Sequence, residues 1–457
     1  MADAKVNKTN LDDEPIEMLI SINDAKKPLG FVIKILQSVA KEKIVGTCAF
    51  VHNRDYYEFT PSDSRIMRLK IKKGTKDGIR IEENFLYVAK ITEIKNSRPI
   101  GEITDVIGDK NDLVSLNKMI LIQNSLRLPQ FSDKIMQSVP ATDEDFVIPL
   151  GEYEKREDLR STCVFTIDPA TARDLDDAVS CVVLPNGNFE VGVHISDVAH
   201  FIPEFSELDE YIKEQATTIY LVDGVYHMLP QSLCLTCSLL PGKDKLAFSV
   251  FWEMTSAAEV IKTRFAKTVV RSCAKLSYSH AQQMLEDPSK KIDFSDFPTI
   301  EGDFKYSDLC QTVNTLNSLT QIMRKRRFDN FSLKIDRVKI TFALDADTGE
   351  PMSYKKYPFY STNYLIEELA LMANQSVAKF IYERYPKTSI LRNHAAPKSE
   401  ALAKLAEKLK FLDYHIDLTN NKTISESLCT IANKVKNNEI VSSVLNDMIA
   451  RPQHRAL

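Results

Sequence analysis

Short apolar runs broken by polar turns open the chain: IEMLISI (16 to 22), GFVIKIL (30 to 36), RIMRLKI (65 to 71) and FLYVAKITEI (85 to 94). Runs of this length, rich in Ile, Val, Phe and Tyr and bounded by turn formers, predict strands. Their succession predicts a small β barrel over residues 15–109, behind a disordered stretch at 1–14. The pattern then changes. LVSLNKMILIQNSL repeats its apolar positions at a helical period, and EYEKREDLR mixes charges, so residues 110–160 read as a helical linker. From residue 161 the runs CVFTI, AVSCVVL and FEVGVHI predict strands before clear helices appear, which predicts an α+β domain over 161–457.

With 457 residues the chain is long enough for at least two domains, each with its own core. Hydrophobic residues make up 44% and charged residues 27%, with 13 Gly and 19 Pro, which excludes a fibrous or largely disordered protein. The start MADAKVNKTNLDDEPIEML is not a signal sequence, and no stretch approaches 18 consecutive apolar residues, so no membrane partner is expected. Eight cysteines do not form a disulfide framework, and Cys234 and Cys237 lack a second pair at zinc-finger spacing.

The net charge of −4 hides an uneven distribution: between Pro15 and Ile100 there are 16 Lys and Arg against 10 Asp and Glu, so the rest of the chain is acidic. Arg65, Arg68 and Lys70 interleave with apolar residues, and Lys72, Lys73, Lys76 and Arg80 follow, which predicts one basic face. Arg68 and Lys70 are candidate RNA contacts on that face, with Tyr56, Tyr57 and Phe59 nearby to stack on bases. A charged strand edge that resists aggregation explains the same lysines and arginines, and the two readings stay open.

The segment IDPATARDLDDA, residues 167 to 178, places Asp168, Asp174, Asp176 and Asp177 within ten positions between two predicted strands. Two carboxylates about 4 Å apart at an effective dielectric of about 20 repel by roughly 4 kcal/mol, so a bound cation would relieve the cluster. An EF-hand reading fails, because its sixth and twelfth positions would be Arg173 and Val179. Magnesium fits better, since it takes hard oxygen ligands and leaves room for substrate phosphate. A solvated acidic loop is the competing reading. His194, Asp197 and His200 follow a strand pattern without the spacing of a helical zinc motif and read as structural.

The run CVFTIDPATARDLDDAVSC resembles the defining motif of the ribonuclease II (RNB) family, and FEVGVHISDVAHFIPEFSELD, TTIYLVDGVYHMLP, DKLAFSVFWEM, VVRSCAKLSYSHAQQML, QIMRKRRFDNFSLKID and NYLIEELALMANQSVAKFI continue the likeness in order. The resemblance implies an all-β OB-fold, cold-shock-like barrel followed by an α+β RNB catalytic domain. It implies a 3′ to 5′ exoribonuclease acting on single-stranded RNA, with Mg2+ or Mn2+ and no small-molecule cofactor. A monomer is the default expectation, and similarity to the cytoplasmic, exosome-independent eukaryotic branch implies residence in the cytoplasm, P-bodies included.

Carried over by motif position, Asp168 and Asp177 are implied as direct metal ligands, with Asp174 and Asp176 completing the site and Asp176 indispensable for cleavage. Tyr220 is implied to stack near the RNA 3′ end; on sequence alone it reads first as a core tyrosine. On the helix that begins near Ser361, Leu365, Leu369, Met372 and Ala373 share one face, and Asn363, Glu367 and Asn374 fall opposite. Glu367 matches a family position beside the terminal nucleotide, with Glu368 as the alternative, and Asn363 is a candidate RNA contact on the same face. Arg324, Lys325, Arg326 and Arg327 close a predicted helix, where cations complement the helix dipole; Arg324, Arg326 and Arg327 are also candidate contacts to the RNA backbone.

Family members carry a first cold-shock barrel, an HF-TSP-IRRY-like stretch whose arginine contacts the scissile phosphate region, and a C-terminal S1 barrel. The chain ends at MIARPQHRAL, so the expectation is a C-terminally incomplete catalytic domain that binds metal and cleaves slowly. The alternative is a catalytically impaired RNA-binding protein.

Overall fold

The computed structural model describes residues 18–21, 29–32, 43–51, 55–72, 79–96, 98–287, 297–330, 332, 340–345, 351–435 and 438–454. The N-terminal stretch 1–14 and Lys73 and Lys76 of the basic face lie outside the described residues. The chain divides into two units, one formed by Met1–Leu128 with Tyr220–Tyr226, the other by Pro129–Ile219 with His227–Leu457. Among the described residues no helix is long and apolar enough to cross a membrane.

In the first unit a hairpin of β1 (Met18–Ser21) and β2 (Leu29–Val32) precedes a closed five-stranded barrel. The barrel strands are β3 (Ile44–Phe50), β4 (Tyr56–Pro61), β5 (Leu69–Lys72), β6 (Phe85–Lys95) and β7 (Arg98–Asp109), in the order β3-β4-β5-β7-β6. Alternation turns Ile44, Cys48, Phe59, Leu69, Ile71, Tyr87, Ala89 and Ile103 inward to fill its core. Helix α1 (Leu113–Gln123) packs on β3 and β7, and starts where the Asp112 carboxylate accepts the Ser115 amide at 2.8 Å.

The second unit begins with α2 (Asp133–Ser138) and α3 (Leu150–Lys155) and continues through β8 (Glu157–Asp168), β9 (Asp177–Val183) and β10 (Phe189–Ser196). Then come α4 (Glu207–Gln215), the two-residue strands β11 (Ile219–Tyr220) and β12 (Val225–Tyr226), of which Tyr220–Tyr226 count with the first unit, and, again in the second, α5 (Gln231–Cys237), β13 (Asp244–Met254) and β14 (Val260–Ser277). Helices α6 (Tyr278–Glu286) and α7 (Tyr306–Asp329), a hairpin of β15 (Ile340–Leu344) and β16 (Pro351–Lys356), and helices α8 (Ser361–Arg384), α9 (Ser399–Lys410), α10 (Asn421–Val435) and α11 (Glu439–Ala450) complete it.

The α+β pattern hides a second closed barrel, in the order β10-β13-β14-β8-β9. Closure depends on the length of β14. It pairs antiparallel with β13 from Val260 to Arg271 and parallel with β8 from Thr268 to Ser277. Register shifts between Val270 and Ser272 and between Ser272 and Ala274 interrupt the second pairing, as expected where a strand bends to change partner. On this barrel α6, α7 and α8 form a layer. Phe165, Val193, Val250 and Trp252 share one apolar core with Leu309, Val313, Leu316, Leu365 and Leu369. The Trp252 indole, wholly buried, donates to Ser376 Oγ on α8 at 3.0 Å.

A buried ion-pair group fixes α3 to this barrel. The buried Arg156 guanidinium pairs with Asp197 at 2.7 Å and with Glu152 at 2.9 Å, so the charged run EYEKREDLR is partly interior. His194, inside the barrel, lies between Ser180 Oγ at 2.9 Å and Ser249 Oγ at 2.8 Å. Burial pushes its imidazole down to about 3, which holds it neutral.

Candidate active site

The aspartate loop is a connection between neighbouring strands of the second barrel. Asp168 is the last residue of β8, opposite Ser277, and Asp177 is the first of β9, opposite Ile195. Because β8 and β9 run antiparallel, as the Phe165 and Val179 pairing records, the end of one strand and the start of the next lie at the same rim. Both carboxylates are therefore delivered to one place by the backbone.

A buried leucine anchors the loop between them. Leu175 is wholly buried, its amide donates to Ser238 Oγ at 3.0 Å, and its carbonyl accepts the Leu239 amide at 2.9 Å. The next carbonyl, that of Asp176, accepts the Ser196 amide at 2.9 Å. Fixing the backbone on either side of Leu175 leaves Asp174 and Asp176 little freedom to move apart. The charge density is maintained by the packing of an apolar residue.

Asp168 is 9% exposed, and its Oδ2 has no hydrogen-bond partner among the described residues. Burial, opposed by the Thr166 hydroxyl and by Lys275 and reinforced by the charges of Asp177 and Asp176, pushes its carboxyl up to about 7. Asp176 is raised by burial and by Asp174, with His227 opposing, and Asp177 is raised by burial and by Asp176. Asp174 Oδ2 lies 3.0 Å from His227 Nδ1. Tyr278, on the first turn of α6, is pushed up to about 12 by burial and by Asp177 and Asp168. One buried carboxylate with a partnerless oxygen, Asp168, beside the more accessible Asp174, Asp176 and Asp177 suits a hard divalent cation such as Mg2+ or Mn2+ that is open to solvent on one side.

The raised Asp168 value has a measurable consequence. Its folded value, about 7, lies above the ordinary 3.8, so its contribution to stability is complete below 3.8 and is lost as pH rises through 7. The loss is at most about 4 kcal/mol. In chelator at about pH 8, Asp168→Asn is expected to melt above the parent protein, with the difference closing toward about pH 4. Added Mg2+ or Mn2+ should raise the melting temperature of the parent and not that of the variant. A variant less stable than its parent at alkaline pH contradicts this account.

A family model described as the RNB domain matches residues 156–457. The chain belongs to the RNB family. It is 38% identical to a Xenopus tropicalis protein named DIS3-like exonuclease 2 over 407 residues, covering 87% of this chain and 49% of that one. A Schizosaccharomyces pombe protein of the same name is 36% identical over 471 residues, covering 98% and 50%. The chain thus spans about half the length of the curated relatives it matches. Among solved structures, the apo form of Mycoplasma genitalium RNase R superposes with a TM-score of 0.73 at 20% identity, covering 96% of this chain and 67% of that one. That likeness bears on the fold alone.

Within the RNB domain, α8 reaches the aspartates through Tyr278. Thr362 Oγ1 donates to the Tyr278 carbonyl at 2.9 Å, and the Asn363 side chain, whose oxygen accepts the Tyr360 amide at 2.8 Å, stands close enough to the Tyr278 hydroxyl to oppose the rise in its pKa. Asn363 is thus both a helix cap and a neighbour of the cluster. Glu367 is gathered elsewhere. It shares Arg324 Nη1, at 3.2 Å, and Arg327 Nη2, at 2.7 Å, with Glu368, which is only 3% exposed. Arg324 also lies 3.6 Å above the Tyr364 ring, and Arg326 donates to the carbonyls of Ala257 and Ala258 at 3.0 Å each. All three arginines proposed for RNA therefore have structural partners.

The remaining candidates belong to the first unit. Tyr220 is 75% exposed, which removes the core-tyrosine alternative. Arg68 pairs with Glu58 at 3.0 Å while remaining 65% exposed, and Lys70 lies 4.4 Å from the centre of the Tyr56 ring. Phe59 is wholly buried in the barrel, so the expectation that it stacks on bases is corrected: Tyr56 and Tyr57 are partly exposed and Phe59 is a core residue.

Sequence reasoning missed Tyr278, Lys275 and His227 as neighbours of the cluster. The signal for the first two is their place at the end of β14, opposite the strand that ends in Asp168, and it is legible only once that parallel pairing is known.

Proposed function

We propose that this chain carries the metal-dependent catalytic centre of a 3′ to 5′ exoribonuclease that hydrolyses single-stranded RNA to nucleoside 5′-monophosphates. The observation that carries the reading is the carboxylate cluster at the barrel rim, where Asp168 keeps a buried oxygen without a protein partner beside Asp176 and Asp177. Asp168 and Asp177 would hold the cation, with Asp174 and Asp176 completing its surroundings. Such a cation supplies acidification of an attacking water and neutralisation of charge on the phosphate and the departing oxygen. The bond broken joins phosphorus to the 3′ oxygen, so the shortened RNA keeps a 3′ hydroxyl and the released nucleotide keeps the phosphate.

The side chains of this chain bind and orient. Asn363 and Tyr278, neighbours beside the aspartates, are the side chains that would position the terminal nucleotide. Glu367, 40% exposed while its neighbour Glu368 is enclosed, is the glutamate free to meet a sugar. Tyr220 offers an exposed ring for stacking on any base, and Arg68 and Lys70 offer charge to the RNA backbone on the N-terminal barrel. Arg324, Arg326 and Arg327 act through the helices they hold. Exosome-independent action as a monomer in cytoplasmic RNA decay, including P-bodies, belongs to the same reading.

The test is incubation of the purified chain with 5′-labelled single-stranded RNA and Mg2+. A ladder of products shortened from the 3′ end, abolished by chelation and restored by Mg2+ or Mn2+, is the expected result. Retention of RNA without any ladder points to an RNA-binding protein without turnover and overturns the enzymatic reading.

A further inference from the structure

Asp174 differs from the other three aspartates in its company. One ligand atom each from Asp174, His227 and Cys234 lies within 4.8 Å of the other two, and the Asp174 and His227 atoms are 3.0 Å apart. The three come from separate parts of the second unit: the aspartate loop, the residue after β12, and α5. All three are partly buried, so the group is enclosed enough to hold an ion and open enough to admit one. The Cys234 thiol makes only a long contact, 3.8 Å, to the Leu229 carbonyl, so no strong bond need break for it to turn toward an ion.

Donor chemistry separates this group from the neighbouring cluster. Imidazole nitrogen and thiolate sulfur with one carboxylate form a borderline-soft set that suits zinc and cobalt, whereas magnesium takes oxygen and holds thiolate poorly. The spacing is also suitable. Tetrahedral bonds of about 2.0–2.3 Å place ligand atoms roughly 3.3–3.8 Å apart, so closing the triangle requires shifts of about 1 Å. A simple Asp174 to His227 ion pair would account for two of these side chains and leaves the convergence of Cys234 unexplained.

We propose that Asp174, His227 and Cys234 form a binding site for a zinc-class divalent cation, with three protein ligands and a fourth position open to solvent. Binding releases the thiol proton to water, because the thiolate is the ligand. Asp174 borders both donor sets, so an ion held here withdraws it from the aspartate cluster. Given the hydrolytic reading above, on which this consequence alone rests, zinc opposes magnesium-dependent cleavage.

Cobalt is the probe, because a thiolate bound to Co2+ gives a near-ultraviolet charge-transfer band and the visible spectrum reports tetrahedral geometry. Titration of the full chain with Co2+ in excess Mg2+ is expected to saturate this band at one equivalent, and Zn2+ should bleach it. Cys234→Ser should lose the band, and His227→Gln should weaken binding by about tenfold or more. Cys237→Ser and Asp168→Asn should keep it, the second showing that the two sites are separate. Absence of a thiolate band in folded parent protein, or its survival in Cys234→Ser, overturns the proposal. The readout does not require turnover, so failure of the hydrolytic reading leaves it intact.

Discussion

Asp176→Asn is expected to reduce RNA shortening by at least about 100-fold, corresponding to roughly 3 kcal/mol or more of lost transition-state stabilisation. The amide has the shape of the carboxyl and removes only its charge, and the fold holds this residue through its main chain, where the carbonyl accepts the Ser196 amide at 2.9 Å. The wholly buried Leu175 beside it is untouched. Melting temperature should therefore change little, and retention of labelled RNA should persist. Burial and Asp174 push the Asp176 carboxyl up, so removing the charge relieves repulsion in the metal-free protein. Parent and variant are compared by the rate at which the 5′-labelled ladder forms at saturating Mg2+. A variant that retains more than about a tenth of the parent rate would take Asp176 out of the chemistry.

The second large effect is structural and concerns Glu368. This glutamate is 3% exposed and accepts Arg327 Nε at 3.0 Å, Arg327 Nη2 at 2.5 Å and Arg324 Nη1 at 3.1 Å, which joins α7 to α8. Removing one partner of a buried pair commonly costs about 3–5 kcal/mol, because the charge left behind has lost both water and counterion. Here the arginine side chains keep 18% and 25% exposure and retain Glu367, so about 2–4 kcal/mol is the expectation for Glu368→Ala. In a unit of this size that amounts to a melting-temperature drop of roughly 5–10 °C. Glu367→Ala, at a side chain 40% exposed, should cost under about 1 kcal/mol and act on RNA binding or turnover instead. Equal destabilisation by the two changes, measured by thermal melts, would contradict the division of labour between these adjacent residues.

The contrast between the two glutamates shows where sequence reasoning reaches its limit. Helical periodicity placed Leu365 and Leu369 correctly on the buried face, but Glu367 and Glu368 differ by one residue and sit on either side of the face boundary. Which of them is enclosed is decided by two arginines on another helix. The aspartate loop was legible because Pro169 ends one apolar run and AVSCVVL restarts another, so the turn and its four carboxylates are local information. Closure of the second barrel was not, because it rests on a parallel pairing between segments remote in the chain. Phe59 differs from the expectation for another reason: in YYEFTP the strand alternation turns it, with Tyr57, toward the barrel core, and aromatic composition carries no information about which face a side chain takes. For the arginine run, helix-end and RNA roles have the same sequence signature, and its carboxylate and carbonyl partners, which lie on remote segments, favour the structural one.

The pairing of Asp168 with Ser277 also constrains biosynthesis. While the ribosome is still adding β9, β10, α4, α5 and β13, the strand that ends in Asp168 waits without one of its two neighbours, and non-local pairing of this kind is slow to form. The barrel whose rim carries the carboxylates therefore closes only after β14 has left the exit tunnel. A nascent chain stalled upstream of that point would carry the whole motif without the closed barrel that supports it.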